Sequence, residues 1–287
     1  MFGSMMPPSP LPIRRFMPIL VRFGLAGSSR ISAVPGARIA PKGVLMFMRF
    51  PSFARPSLGW VLAGFMLTSA VISCAQADDI KGYLPAAVAV ANFPAAPAPG
   101  SKADQDDRAA ALDLQAKRTP ERVALAQADQ KLEVFSAFGS LLGPKVTEAS
   151  APNLARLMAR SLRDVGATAL PFKELYKRPR PPLADPAVTA CVRLPESGLN
   201  SYPSGHAMWG AMAGTLLAEL VPAKADALKA RGLDFGLSRA VCGVHYPSDV
   251  AAGQALSAAL LVELHKDPAF KADYEAAKAE LAALLQP

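Results

Sequence analysis

Two stretches of the sequence, 207–218 and 250–262, are almost wholly apolar or small, and an acidic residue, Glu219 or Glu263, closes each one. Both are shorter than the roughly 20 apolar residues that cross a bilayer. Helices that are apolar all round and too short to span belong at the centre of a protein core. The surrounding sequence agrees with that placement. From about Gln105 onward Ala, Leu, Glu, Lys and Arg dominate, and the alternation that marks a strand is scarce. The expected helices are 104–116, 120–142, 152–165, 169–178, 205–221, 223–240, 248–265 and 268–285. Pro120, Pro152, Pro171, Pro222 and Pro268 fall at or near helix starts, where a missing N–H costs little. Thr119 and Ser150 stand just before two such starts and are expected as caps. The last helix alternates charge with Ala and Leu and reads as a surface helix. There is no internal repeat. About 180 residues of helix imply one all-α domain, 104–287, with a single core. Ahead of it, 78–103 reads as an extended arm, Ala/Pro-rich from residue 85.

The formal net charge of +8 suggests a polyanion partner, but its distribution argues otherwise. Residues 1–77 carry eight basic residues and no acidic one, and the remaining 23 basic residues are balanced by 23 acidic ones. A neutral body has no general electrostatic reason to hold nucleic acid, and no nucleic-acid partner is expected. Leu58–Ile72 is uncharged, follows Arg49 and Arg55, and precedes Ala75-Gln76-Ala77. That is the layout of a signal peptide cleaved after Ala77. Residues 46–77 are therefore expected to be the signal, with translation starting at Met46 or Met48, and 1–45 to be untranslated or disordered. The mature chain is expected to be periplasmic or secreted, without a membrane span. An uncleaved anchor competes with this reading. So does a lipid anchor at Cys74, because Val71-Ile72-Ser73-Cys74 resembles a lipobox. Cys191 and Cys242 remain in the mature chain, and in an exported protein they are expected to form a disulfide, two separate buried thiols being the alternative.

Three clusters carry chemistry. In Lys173-Glu-Leu-Tyr-Lys-Arg-Pro-Arg180-Pro181 the two cations are seven apart, two helical turns, so they are expected on one face, with Pro181 ending the helix beyond them. This is a solvated basic patch or an anion site. In Tyr202-Pro203-Ser204-Gly205-His206, Ser204 suits an N-cap, Gly205 allows close backbone approach, and the unpaired N–H groups of the following helix can hold an anion. The plainer reading is a capped helix start with His206 on its surface. In Ser238-Arg239-x5-His245-x3-Asp249, Asp249 either accepts the Nδ1–H of His245 or merely favours the helix N-terminus. Together the clusters offer three cations for a doubly charged oxyanion, a histidine suited to be a nucleophile and another suited to be a general acid.

These motifs, in this order, resemble the tripartite signature of the phosphatidic acid phosphatase type 2 superfamily, which includes lipid phosphatases, vanadium haloperoxidases and bacterial class A non-specific acid phosphatases. Ser201–His206, Ser238–His245 and the His265–Phe270 run look most like the class A enzymes, and the resemblance covers about 85–285. It implies an all-α, single-domain helical bundle of the phosphatidic acid phosphatase type 2 / haloperoxidase type. It implies an exported acid phosphatase acting on small phosphomonoesters through a phosphohistidine, with no metal or other cofactor, in which a homo-oligomer is allowed. His245 would attack phosphorus, Asp249 would orient it, and His206 would protonate the leaving alcohol and then activate water. Lys173, Arg180, Arg239, Ser204 and the Gly205 amide would bind the phosphoryl oxygens. An acidic optimum follows, since His206 must be protonated while His245 is not. Two departures stand out. Pro179 implies that the helix bearing Lys173 ends early, and Ala207-Met208-Trp209 replaces small hydroxyl residues. His265 lies outside the signature and reads as surface. The alternatives are a lipid phosphate or pyrophosphate phosphatase, a vanadate-dependent haloperoxidase and a non-enzymatic phosphate-binding module.

Overall fold

The structure is a computed structural model and describes residues 80–286. The expected segments 1–45 and 46–77, and with them Cys74, lie outside the described residues. Among the described residues the regular elements are all helical. They are α1 (Lys102–Lys117), α2 (Pro120–Ala128), α3 (Val134–Leu142), α4 (Pro152–Tyr176), the single turn α5 (Pro181–Ala184), α6 (Gly205–Leu220), α7 (Ala225–Val241), α8 (Pro247–Leu264) and α9 (Pro268–Leu284). A 3-10 turn, Pro222–Lys224, leads into α7. None of these helices is long and apolar enough to cross a membrane.

The two apolar stretches become α6 and α8, which pack on each other at the centre. α6 is buried on nearly every side, and α7 lies along it with the backbones in contact. A Cβ on Gly232 of α7 would strike the carbonyl of Gly210 on α6, so only glycine permits that approach. The aromatic centre is Trp209, between Phe235 at 4.9 Å and Phe138 at 6.1 Å. Ala207, Met208 and Trp209 are thus core residues. α4 lays an apolar stripe (Leu154, Leu157, Met158, Val165, Ala169) against this core, and α9 covers α4.

Two helix divisions and one cap differ from expectation, each for a physical reason. The expected helix 120–142 is two helices. Asp129 is drawn onto α7 by Arg231 and by the Ser238 hydroxyl at 2.6 Å, which forces a turn at 129–133. The expected 152–165 and 169–178 are one helix, with Pro171 inside rather than at a start. Packing on both sides, including Phe172 against Phe93 at 4.6 Å, outweighs one lost hydrogen bond. Thr119 does cap α2, accepting the Arg122 N–H at 3.2 Å. Ser150 does not cap α4, because the helix starts at Pro152 and the cap position falls on Ala151. Ser150 closes a turn with Thr147 instead.

The arm ahead of α1 is non-helical and packed. The N–H groups of Tyr83 and Leu84 donate to Asp164 at 2.8 and 3.0 Å, the Arg160 guanidinium covers the Tyr83 ring, and the Tyr202 hydroxyl donates to the Pro94 carbonyl. Cys191 and Cys242 form a disulfide joining the loop after α5 to the end of α7.

Candidate active site

The stretch around Arg180 explains why sequence spacing misplaced it. Lys173 lies in the last turn of α4, but the helix ends at Tyr176 and Lys177 turns left-handed at φ 42°. Arg178 and Arg180 each precede a proline, which disfavours the helical conformation at both. Lys173 and Arg180 therefore share no helical face. They converge because the chain folds back, with the Arg180 N–H donating to the Gly198 carbonyl. The Lys173 ammonium donates to the carbonyls of Asn200 and Pro203, both at 2.7 Å. The Arg180 guanidinium donates to Asn200 Oδ1 at 2.9 Å and the Val244 carbonyl at 2.8 Å, and its Nη1 lies 3.1 Å from His245 Nε2.

Ser204 is the N-cap of α6, accepting from the Ala207 N–H at 3.3 Å. Gly205 opens that helix, and a Cβ there would meet open space. His206 stacks on Phe235, its Nε2 3.1 Å from the Gln130 carbonyl. Because a carbonyl only accepts, that contact places the proton on Nε2 and leaves Nδ1 as the bare nitrogen. α8 begins with Pro247 in its first turn, and Asp249 closes a capping box by accepting the Tyr246 N–H at 2.9 Å. His245 is fully buried, and its Nδ1 lies 3.5 Å from Asp249 Oδ2 without a hydrogen bond. The expected His245–Asp249 hydrogen bond is thus a long approach, because Ser201 (2.6 Å), the Tyr246 N–H and Arg178 (2.7 Å) already occupy the carboxylate.

Arg239 projects from the last turn of α7 and is 2% exposed. Its Nη2 donates to Gln130 Oε1 at 2.6 Å, while Nε and Nη1 are buried without a partner. Such orphaned donors are costly to leave in a core and natural where an anion is to sit.

The electrostatics follow from crowding cations in a dry place. Burial, reinforced by Arg180, pushes Lys173 down to about 8. Burial lowers Arg180 to about 10 and, with the Arg180 charge added, lowers Arg239 to about 10 as well. Burial first, then Arg239, lowers His206 to about 3. His245 is driven well below its ordinary value by burial and then by Arg180, Lys173, Arg239 and His206. Both imidazoles are neutral at rest, within a positive field.

Two residues of this neighbourhood went unsignalled in the sequence. Arg178 was an unassigned position between Lys173 and Arg180, yet it anchors Asp249. Its guanidinium also reaches Ser248 at 2.8 Å, Asp107 at 2.8 Å and Asp104 at 3.3 Å, and it lies over the Tyr246 ring. Gln130, on the turn between α2 and α3, touches both His206 and Arg239. The carboxylates of α1 that hold Arg178 look in the sequence like those of any solvated helix and gave no hint of it. His265 stays apart from all of this, pairing with Glu219 at 3.0 Å.

The PAP2 superfamily matches residues 157–271, the span that holds every residue of the cluster except Gln130 and the α1 carboxylates. The chain is similar to a non-specific acid phosphatase of Providencia stuartii, 34% identical over 174 residues, covering 58% of this chain and 70% of that protein. It is similar to an acid phosphatase of Zymomonas mobilis, 37% identical over 170 residues, 56% of this chain and 62% of that protein. It is also 34% identical over 164 residues to a non-specific acid phosphatase of Salmonella typhimurium, 55% of this chain and 65% of that protein. The chain thus aligns with about two thirds of the length of these relatives.

Proposed function

The chain belongs to the PAP2 superfamily, alongside non-specific acid phosphatases, and from that premise we propose that it hydrolyses phosphomonoesters at the cluster around His245. The observation that carries the reading is Arg239, buried with two guanidinium donors unspent beside Lys173, Arg180 and two neutral histidines. That is a cluster charged for a dianion.

In the proposed reaction a phosphate ester enters with its oxygens on Lys173, Arg180, Arg239, the Ser204 hydroxyl and the Gly205 amide. Arg180 releases His245 Nε2 as it turns to the ester. That nitrogen holds the lone pair and attacks phosphorus in line with the leaving oxygen. Charge gathers on the equatorial oxygens, where the three cations stabilise it without a metal ion. Asp249, held by Arg178, faces the Nδ1–H of His245 and stabilises the positive ring of the phosphohistidine. His206 gives a proton to the leaving alcohol, then takes one from the water that hydrolyses the intermediate. Before an ester binds, His206 is too acidic to carry that proton. The incoming dianion offsets the cations around it and raises its basicity, so charging the acid is coupled to binding substrate. An acidic optimum follows. Export through the 46–77 segment completes the reading.

The test is a turnover screen with p-nitrophenyl phosphate, nucleotides, sugar phosphates and phosphatidic acid, beside His245→Asn. Turnover is expected to persist with chelator, to stop with vanadate and to vanish in the variant. Acid-labile, base-stable label from a 32P-ester should appear on the wild type alone. A His245→Asn protein that still turns over would show that the nucleophile is misassigned.

A further inference from the structure

Gln130 belongs to none of the three sequence clusters and lies outside the 157–271 match, yet it is the residue that contacts both His206 and Arg239 from a separate element. Its position is fixed from beneath. The neighbouring Asp129 is 2% exposed and is clamped by Arg231 and by the hydroxyl of Ser238, the residue next to Arg239. The turn is closed by Gln130 N–H to Gln127 O at 3.1 Å and Lys131 N–H to Ala128 O at 3.2 Å. Through Asp129 the α2–α3 turn is thus pinned to the same turn of α7 that carries Arg239. Gln130 itself is exposed, so its side chain adds nothing to the core.

We propose that Gln130 is a positioning residue on the leaving-group side of the site, selecting the Arg239 donors that meet the oxyanion and the His206 nitrogen that faces the ester. The inference rests on the phosphomonoesterase reading. A guanidinium has five N–H donors, and the amide oxygen of Gln130 takes one from Nη2, which holds the plane still and leaves Nε and Nη1 for the ligand. The backbone carbonyl of the same residue holds Nε2–H of His206, so Nδ1 is the nitrogen left to exchange a proton with the leaving oxygen. His206 is held by a neutral carbonyl at 3.1 Å, where His245 has a carboxylate only at the longer 3.5 Å.

The experiment compares wild type, Gln130→Leu and Gln130→Glu for kcat, KM, inhibition by inorganic phosphate and melting temperature. The leucine keeps the size and removes the acceptor. It should lower kcat/KM and raise the phosphate Ki by about tenfold each, the cost of an Arg239 plane no longer held toward the ligand, with a fall in melting temperature no larger than one lost hydrogen bond gives. The glutamate keeps an acceptor for Nη2 but adds a charge beside the ligand, and its phosphate Ki should rise further than that of the leucine. Three results would overturn the proposal: unchanged kinetics in Gln130→Leu, a lowered phosphate Ki, which would mean that the amide competes for Arg239, or a fall in melting temperature that accounts for the lost activity. A wild type with no phosphomonoesterase turnover is a different failure, that of the underlying reading. In that case calorimetric phosphate binding to the same three proteins still decides whether Gln130 sets Arg239.

Discussion

Arg178 and Arg239 are the same side chain at nearly the same depth, 5% and 2% exposed, and they live in opposite electrostatic worlds. Arg178 sits among three buried carboxylates, a hydroxyl and an aromatic face. Burial alone would lower it, but Asp249 and Asp107 outweigh that and hold it above its ordinary value. Arg239 has one amide oxygen as its hydrogen-bond partner, and burial together with the Arg180 charge outweighs the pull of Asp129 and holds it down. A buried charge either finds its counter-charge in the chain or waits for one from outside. The first arrangement fixes the floor of the site. It joins α1 to the start of α8, where Asp107 also accepts the Ser248 N–H at 3.1 Å, so the capping of the His245–Asp249 helix depends on a helix far away in sequence. The second, no less buried, leaves the side that would receive the ligand, its mouth, short of negative charge.

Replacing each arginine should therefore break different properties. Arg178→Ala takes the paired cation from buried Asp107 and Asp249, while Asp104 keeps Arg108, and breaking such a buried pair costs about 3–5 kcal/mol. Urea unfolding should show a loss of that order, and an unchanged midpoint would mean that the lattice is not holding the floor. Arg239→Leu should leave unfolding stability equal or slightly higher, since a charge without a partner is removed. Turnover should drop by roughly 10²–10³-fold, as when one transition-state donor is lost. Saturating phosphate should stabilise the wild type by about 2.7 kcal/mol at a hundredfold excess over Kd, and Arg239→Leu far less. If both variants lost stability and activity in equal measure, the distinction between floor and mouth would collapse.

The same division explains how much could be read from the sequence. The mouth was legible, because cations and histidines at fixed spacings stand out against an apolar background, and Lys173, Arg180, His206, Arg239 and His245 were all named. The two central helices were legible from their uninterrupted apolar character. The floor was not. Asp104 and Asp107 sit on a helix that looks like any solvated one, and Arg178 hides in a basic run whose phase the left-handed Lys177 resets. Gln130 was invisible because its place depends on Asp129 reaching α7, a contact over a hundred residues away in sequence. Helix breaks likewise followed tertiary pull, as at 129–133, or tertiary support, as at Pro171, which single-residue propensities do not encode.

The smallest expected effect lies in the pH dependence of stability, and its sign separates a mouth awaiting an anion from a satisfied one. His206 and His245 are held neutral by burial and by cations, whereas both titrate near 6.5 in the unfolded chain. Below that pH the unfolded state binds more protons, so stability is complete above about 6.5 and falls as acid is added. For His206 the fall continues down to about 3. Each imidazole should account for about 1 kcal/mol between pH 7 and pH 5.5. Phosphate, by offsetting the cations, should flatten the slope, and His206→Gln should remove one share of it. Thermal melts from pH 8 to pH 4, with and without phosphate, measure all three. Stability that rose on acidification would mean that the imidazoles already have an anionic partner within the fold, and the cluster would then have no charge left to offer a substrate.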